Sequence, residues 1–515
     1  MRAIALSAMA LLWAVPALAG TVISAGPSNV SVTIYRDPNR RQGAMDRNWP
    51  GGYALISETR TLRIPAGESV IRFEGVAEGM LPESAIVSGL PEGVREKNRD
   101  ARLISPAGLV DANLKRRVTL RRTHRKTGKT IEQDAIIQAG PDGGVILQTA
   151  EGVEALGCSG LPERMLYGGI PDELSAKPTL SVLARSEREV TATVQLSYLA
   201  QGFDWSASYV AEMAEAGPTL GLFAWLTLAN GGSQGFADAD LQVVAGRPNR
   251  ESADRGPRAT AAELHLACWP MDITSTHPSW GIVRTPTRPP SAPVSYDVAD
   301  DIIVTAQRRT GSVMSAPVAI AAVQEDLGDL KLYRVPSRVT VAAQGQKQVA
   351  MIDRPEVVVD RLYSADMGDG GENPRPLAIL LTSRNVKEKG LGIPLPAGGL
   401  ALFEPVDGHS LLVGEDDMAD RAIGEDIEIH AGDSPDVRWS LKPLSRDNRH
   451  QRWHATISNA RDVPIRAQIV IPYELARKPK GIERGKGGWL LKADVPAQGT
   501  VELDYEIKVE GRSRR

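Results

Sequence analysis

Eight cationic side chains crowd into residues 115–129: Lys115, Arg116, Arg117, Arg121, Arg122, Arg125, Lys126 and Lys129. Guanidinium and ammonium groups at this density attract phosphate and carboxylate, so the run is a candidate anion-binding patch for phosphorylated lipid head groups or acidic polysaccharide. Val118 and Leu120 place it on a strand, and Thr127-Gly128 marks a turn; the alternative is an edge strand that its charge protects from aggregation. A second candidate is Asp301-Ile302-Ile303-Val304-Thr305-Ala306. Ile302 and Val304 face one way, Ile303 and Thr305 the other, as strand addition to a partner's sheet requires; the alternative is a strand that pairs within the chain. The third candidate is the cysteine pair, Cys158 and Cys268. In an oxidising compartment they form a disulfide; otherwise they serve as two separate small apolar side chains.

Other arrangements fall short of the chemistry they suggest. Gly128-Lys129-Thr130 lacks the glycine a phosphate loop needs five residues before Gly128, where Thr123 stands. Gly157-Cys158-Ser159-Gly160 and Gly408-His409-Ser410 start like a nucleophile elbow, but Leu161 and Leu412 replace its final glycine. His450 and His454 are four apart in a strand pattern, where that spacing makes no helical zinc face. Asp366-Met367-Gly368-Asp369-Gly370-Gly371-Glu372 offers oxygen ligands, yet Gly368 sits where a calcium loop wants aspartate. No metal or cofactor is expected. A net charge of −3 over 515 residues gives no basic field for nucleic acid.

The elements that must position these residues are strands. Period-two alternation runs through Val30-Ser31-Val32-Thr33-Ile34-Tyr35 and again through Ser57-Glu58-Thr59-Arg60-Thr61-Leu62-Arg63-Ile64. It recurs over residues 190–198, 220–230, 338–352, 453–458, 465–471, 489–495 and 500–509, with 49 glycines and 35 prolines as punctuation. This pattern predicts an all-β chain of several β-sandwich, immunoglobulin-like modules. Tyr198, Trp205, Tyr209 and Trp225 suit the sandwich cores. Asn230 and Asn459 each end a strand-like run before a turn. A short helix is expected near residues 325–329, none of architectural weight.

Residues 1–19 read as a secretory signal peptide: Arg2, an apolar run from Ala3 to Val15, then Ala17-Leu18-Ala19 before Gly20. The expected units are an N-terminal β domain over 20–100, a small β module over 101–175, a central sandwich over 176–435 and a C-terminal immunoglobulin-like domain over 436–515. Residues 246–325, with five prolines between Pro278 and Pro293, read as a long, largely disordered insertion in the central unit. A smaller loop over 37–52 interrupts the first.

From Tyr198 onward the chain resembles a known family. Leu196-Ser197-Tyr198, Gly202-Phe203-Asp204-Trp205, Ser208-Tyr209, Trp225-Leu226-Thr227-Leu228-Ala229-Asn230 and residues 238–246 carry the likeness. It continues through Leu332-Tyr333-Arg334-Val335-Pro336, residues 346–350 and 398–403, and Val413-Gly414-Glu415. These are similar to secreted bacterial proteins of unknown function related to mucoidy inhibitor A, over residues 180–510 and more weakly over 62–87. The resemblance implies β-sandwich modules and export, and no activity. The coiled coil usual in such relatives is missing from residues 100–165, which read as strands. Separately, residues 301–309 with Ser315-Ala316-Pro317-Val318-Ala319-Ile320 resemble the TonB box and plug start of outer-membrane receptors, which implies a TonB-like partner.

The resulting expectation is a periplasmic, non-catalytic, envelope-associated binding or scaffold protein. The alternative is a secreted hydrolase whose site assembles from distant residues. The leader is directly testable: N-terminal sequencing of exported protein is expected to begin at Gly20 or within a few residues, and an intact Met1 would refute it.

Overall fold

The computed structural model describes residues 20–508 except 41–44, 47, 101, 124–126, 141–144, 157–162, 172–173, 216, 247, 249–321, 370, 448, 478–481 and 486–487. The leader, Cys158, Cys268, Arg125, Lys126, Asp301, Ile302, Ile303, Val304, Thr305, Ala306 and nearly all of the expected insertion lie outside the described residues. Strands make up 66% of the chain and helix 4%, so the fold is all-β.

Alternation in sequence becomes alternation in burial. Along Tyr53–Ile64, Ala54, Ile56, Leu62 and Ile64 point into the core, while Thr59 and Thr61 face outward. Asn29–Tyr35 pairs with one side of this strand, and a remote strand takes the other: Val190–Gln201 runs antiparallel to it over its whole length, from Val190 opposite Ile64 to Gln201 opposite Tyr53. Likewise Gly67–Glu74 pairs with Thr179–Ser186. One core therefore joins Val32, Ile56, Phe73, Val182, Leu196, Tyr209 and Leu226, and the residues expected as two domains, 20–100 and 176–435, share sheets. The cause is mutual need, since each segment supplies the apolar faces that cover the other.

The segment between them folds on its own core. Arg117–Thr123, Thr130–Ala139, Val145–Thr149, Gly152–Leu156 and Glu163–Leu166 make a five-stranded sheet around Val118, Leu120, Ile137 and Leu147. A helix that the period-two reading missed, Pro106–Ala112, lays Val110 against it. Its signal was present in the sequence: Ser105 Oγ caps Gly108 N at 2.9 Å and Pro106 fills the first turn. Conversely, the helix expected near 325–329 is absent. Val323–Leu327 is a strand, hairpinned to Leu330–Arg334.

Three buried asparagines hold the sheets at equivalent corners. Asn230 ends Thr219–Asn230, and its Nδ2 donates to Gln234 O at 2.9 Å and Ala342 O at 3.0 Å while its Oδ1 accepts from Gly232 N at 3.0 Å. Asn459 ends His450–Asn459 and repeats the set: Val463 O at 2.9 Å, Pro496 O at 2.9 Å and Arg461 N at 3.0 Å. Asn385 follows Arg375–Arg384 and donates to Ile393 O at 2.7 Å and Ala422 O at 2.9 Å, accepting from Gly392 N at 2.9 Å. In each case the far carbonyl precedes the strand that returns antiparallel to the asparagine strand: Gly345–Val358, Asp426–Arg446 or Thr500–Lys508. The strand after each corner pairs parallel with an earlier one, namely Asn29–Tyr35, Phe203–Met213 or Asp360–Asp366. The fold thus repeats one plan three times. Val341-Ala342-Ala343-Gln344-Gly345 and Val495-Pro496-Ala497-Gln498-Gly499 echo it in sequence, with Gln344 at φ 46° and Gln498 at φ 49°.

The C-terminal unit begins earlier than residue 436. Asp360–Asp366 and Arg375–Arg384 belong to its nine-stranded sheet. The 21-residue strand Asp426–Arg446 sends Ile427 and Ile429 into the first core and Val437, Trp439 and Leu441 into the second, so the expected boundary falls inside one strand. Gly432, at φ 82°, and the Val437 N–H bond to Ser434 Oγ mark the bend between the two halves.

Removing one corner amide leaves two carbonyls and an N–H without partners in a buried site. Asn459→Ala is expected to cost about 3 kcal/mol by denaturant unfolding, against under about 0.5 kcal/mol for the exposed Asn98→Ala. Equal effects of the two changes would refute the structural role.

Candidate functional site

The buried Glu58, Arg60 and Tyr198 are consumed by bonds that hold the fold. Glu58 and Arg60 lie two apart on the inward face of Tyr53–Ile64 and are 1% exposed each. Arg60 Nε and Nη2 donate to Glu58 Oε2 at 2.9 and 2.5 Å; Nη1 donates to Ser24 Oγ at 2.8 Å and Glu74 O at 2.9 Å. Tyr198 Oη donates to Glu58 Oε1 at 2.8 Å and accepts from Ala77 N at 3.0 Å. Burial, then the Glu58 charge, pushes the Tyr198 phenol well above its ordinary value. A buried pair this fully bonded fixes geometry rather than offering a reactive group. Trp205 and Tyr209 are core residues too: Trp205 Nε1 donates to Val244 O at 3.0 Å and Tyr209 Oη to Pro396 O at 2.6 Å.

Among the described residues, Asp204 is the one buried carboxyl lifted toward neutrality. Its Oδ1 accepts from Trp205 N at 2.8 Å and Asp37 N at 3.0 Å, and Arg40 Nη2 lies 3.4 Å away while donating to Trp205 O at 2.7 Å. Desolvation outweighs these attractions and raises its pKa from 3.8 to about 6. The group ties the loop after Asn29–Tyr35 to the start of Phe203–Met213. Next to it, Arg36 holds Asp420 at 2.5 Å.

The cationic run is placed on Arg117–Thr123, flanked by Thr130–Ala139 on one side and Glu163–Leu166 on the other, so it is no edge strand. Acids across the sheet answer three of its charges: Arg117 meets Asp134 at 3.1 Å, Arg121 meets Glu132 at 2.6 Å and Arg122 meets Glu154 at 2.8 Å. Lys115 Nζ bonds the Gln138 carbonyl and side chain. Arg116 and Lys129 lie at the two ends of the run. His454 bridges toward Asp504 at 2.7 Å and Glu502 at 3.8 Å; His430 meets Asp416 at 3.0 Å.

The surface that sequence reasoning missed is the outer face of the central five-stranded sheet. Here Trp225, expected in a core, points outward instead. Phe223 and Trp225 stand edge to face with centroids 4.9 Å apart. In register, Phe223 is opposite Val210, which is opposite Ala401; Trp225 is opposite Ser208; Glu212 is opposite Phe403, which is opposite Leu412. Phe223, Trp225, Val210 and Phe403 are half-buried and belong to none of the three cores. Beside them, Ser208 Oγ and Thr227 Oγ1 are 3.0 Å apart, and Gln348 Nε2 donates to Thr227 Oγ1 at 3.2 Å. Glu212 and Asp353 flank the band. The parity of Trp225 against buried Leu226 and Leu228 was a usable signal, but a strand with two apolar faces hides which one is the core.

Such a face binds by dispersion and ring stacking, with neutral hydrogen bonds alongside. A cavity of about 10 Å³ lined by Leu220, Val357, Leu381 and Ile427 has room for about one water. Among the described residues no cluster of His, Cys, Asp or Glu could hold a metal ion, and no helix is long and apolar enough to cross a membrane.

The Asp204 shift sets a pH dependence. A folded-state pKa above the unfolded one means the native state holds the proton more tightly, so this contribution is fully present below about pH 4 and is lost as pH rises through about 6. Its size is on the order of 3 kcal/mol. Asp204→Asn keeps the acceptor oxygen, and its unfolding free energy is expected to lack this decline between pH 4 and 6. An unchanged profile would overturn the assignment. In comparisons with known proteins, no family model matches the chain and no curated protein matches it.

Proposed function

We propose that this protein is a non-catalytic binding or scaffold protein of the cell envelope, exported by the leader read at residues 1–19. The observation that carries the proposal is the outward band of Phe223, Trp225, Val210 and Phe403. Aromatic residues are 5% of this chain, and three of them lie together on a sheet face outside every core. Half-exposed aromatics beside neutral hydroxyl and amide groups are the composition of a recognition surface. The cationic run contributes less, because three of its arginines are answered by Asp134, Glu132 and Glu154. The resemblance of residues 180–510 to secreted proteins related to mucoidy inhibitor A supports the export half of the reading. A TonB-like partner for residues 301–306 remains part of the proposal only through sequence resemblance.

The test is capture from envelope extract by the mature protein, with the partner identified by mass spectrometry. The double variant Phe223→Ala/Trp225→Ala is expected to lose that partner by about tenfold or more. Its melting temperature should drop only slightly, since neither ring belongs to a core. Equal capture by both proteins, or none by the wild type, would overturn the proposal.

A further inference from the structure

We infer that the aromatic face of the central five-stranded sheet takes a cationic segment of a partner protein, laid across the strands with a lysine or arginine at each end of an apolar stretch, an inference that rests on that face being a recognition surface.

Gly345–Val358, Thr219–Asn230, Phe203–Met213, Gly398–Val406 and His409–Met418 lie side by side in that order. One register row crosses all five strands: Asp353, Phe223, Val210, Ala401 and Glu415. Its middle is apolar and each end is a carboxylate. Four inter-strand spacings put those ends about 19 Å apart. In the row on one side, Trp225 is followed by Ser208, Gly399 and Asp417; in the row on the other, Glu212 stands between Gly221 and Phe403. The three rows hold four carboxylates and no lysine, arginine or histidine. Asp353 is half-buried, and Glu212, Glu415 and Asp417 are exposed. Among the described residues none of the four has an ion-pair partner, although Glu212 accepts a hydrogen bond from Ser410 Oγ. Other acids of the same region are paired: Glu404 with Arg361 at 2.9 Å and Asp360 with Arg466 at 2.8 Å.

Unpaired carboxylates around an apolar centre repel phosphate and acidic sugars, so an anionic lipid surface or an acidic polysaccharide is a poor occupant. A neutral sugar needs hydroxyls and amides to bond it, and here Ser208, Thr227 and Gln348 already bond one another. A cationic segment suits the whole face. Its end charges meet Asp353 and Glu415, and its apolar side chains lie on Phe223 and Val210. A basic side chain passing the rings gains cation–π attraction from Phe223 or Trp225. Gly399 and Ala401 keep the floor low between the rings and the acids of the last strand. Extended chain rises about 3.3 Å per residue, so about six residues separate the two cations.

Selection from a phage-displayed library of random dodecapeptides on the mature full chain tests this. Enriched peptides are expected to carry two lysines or arginines about five to seven residues apart, with apolar residues between them. Their dissociation constants should rise about fivefold in Asp353→Asn/Glu415→Gln, and should rise with salt for the wild type, with the variant's melting temperature unchanged. In Phe223→Ala/Trp225→Ala the same peptides should weaken by about tenfold or more. Enriched peptides that lack cations but still need the two rings would overturn the inference and leave the face a recognition surface. Cationic peptides indifferent to Asp353→Asn/Glu415→Gln would do the same. So would an absence of enriched peptides together with a neutral glycan, bound on an array by the wild type and lost in Phe223→Ala/Trp225→Ala. Peptides bound equally by Phe223→Ala/Trp225→Ala, or no peptide and no glycan bound at all, would overturn both the inference and the recognition surface.

Discussion

A side-chain amide offers two N–H donors and one carbonyl acceptor without carrying charge, and this protein is organised around that inventory. Where a strand ends inside a sandwich, its turn and the neighbouring loop leave backbone groups facing a dry interior, each costly if unpaired. Asn230, Asn385 and Asn459 answer the same three groups at three such places. Aspartate would bring a charge and no donors; serine would bring one donor. The amide therefore fixes the turn and also fastens it to a strand 37 residues away at Asn459 and 112 away at Asn230. Sheet register on both sides follows from that fastening.

The units so built are not beads on a string. The first core draws strands from both ends of an intervening module, and the long strand Asp426–Arg446 gives one end to each of two cores. Ile379 packs against both. Coupling of this kind keeps sheet faces in a set relation to one another. Charged groups inside the first core serve the same end: the Glu58–Arg60–Tyr198 set and Asp204 tie loops to strands at points where apolar packing alone would leave the backbone unsupported.

The surface divides by chemistry. The small module shows a charge ladder in which cations and acids neutralise each other across strands. The central sheet shows aromatic rings and hydroxyls, with carboxylates around them. Ion pairs between exposed side chains contribute little to stability and are screened by salt, whereas exposed apolar area carries a standing cost in water that association removes.

Period-two alternation with glycine and proline punctuation was enough to establish an all-β chain, because the β-pleat writes itself into sequence at a spacing of two residues. Asn230 and Asn459 were visible as strand ends, and the shared Ala-Gln-Gly at 343–345 and 497–499 held the repeat in plain view. What alternation could not show is which strand lies beside which. Each of Tyr53–Ile64 and Gly67–Glu74 has one partner more than a hundred residues on, and nothing local encodes that pairing. For the same reason the sequence placed Trp225 in a core and left Arg117, Arg121 and Arg122 looking unanswered. A strand with two apolar faces becomes one-sided, and three arginines of a cationic run find acids, only when the neighbouring strand arrives. Those outcomes belong to tertiary structure, since they depend on contacts between residues that share a sheet and not a stretch of chain.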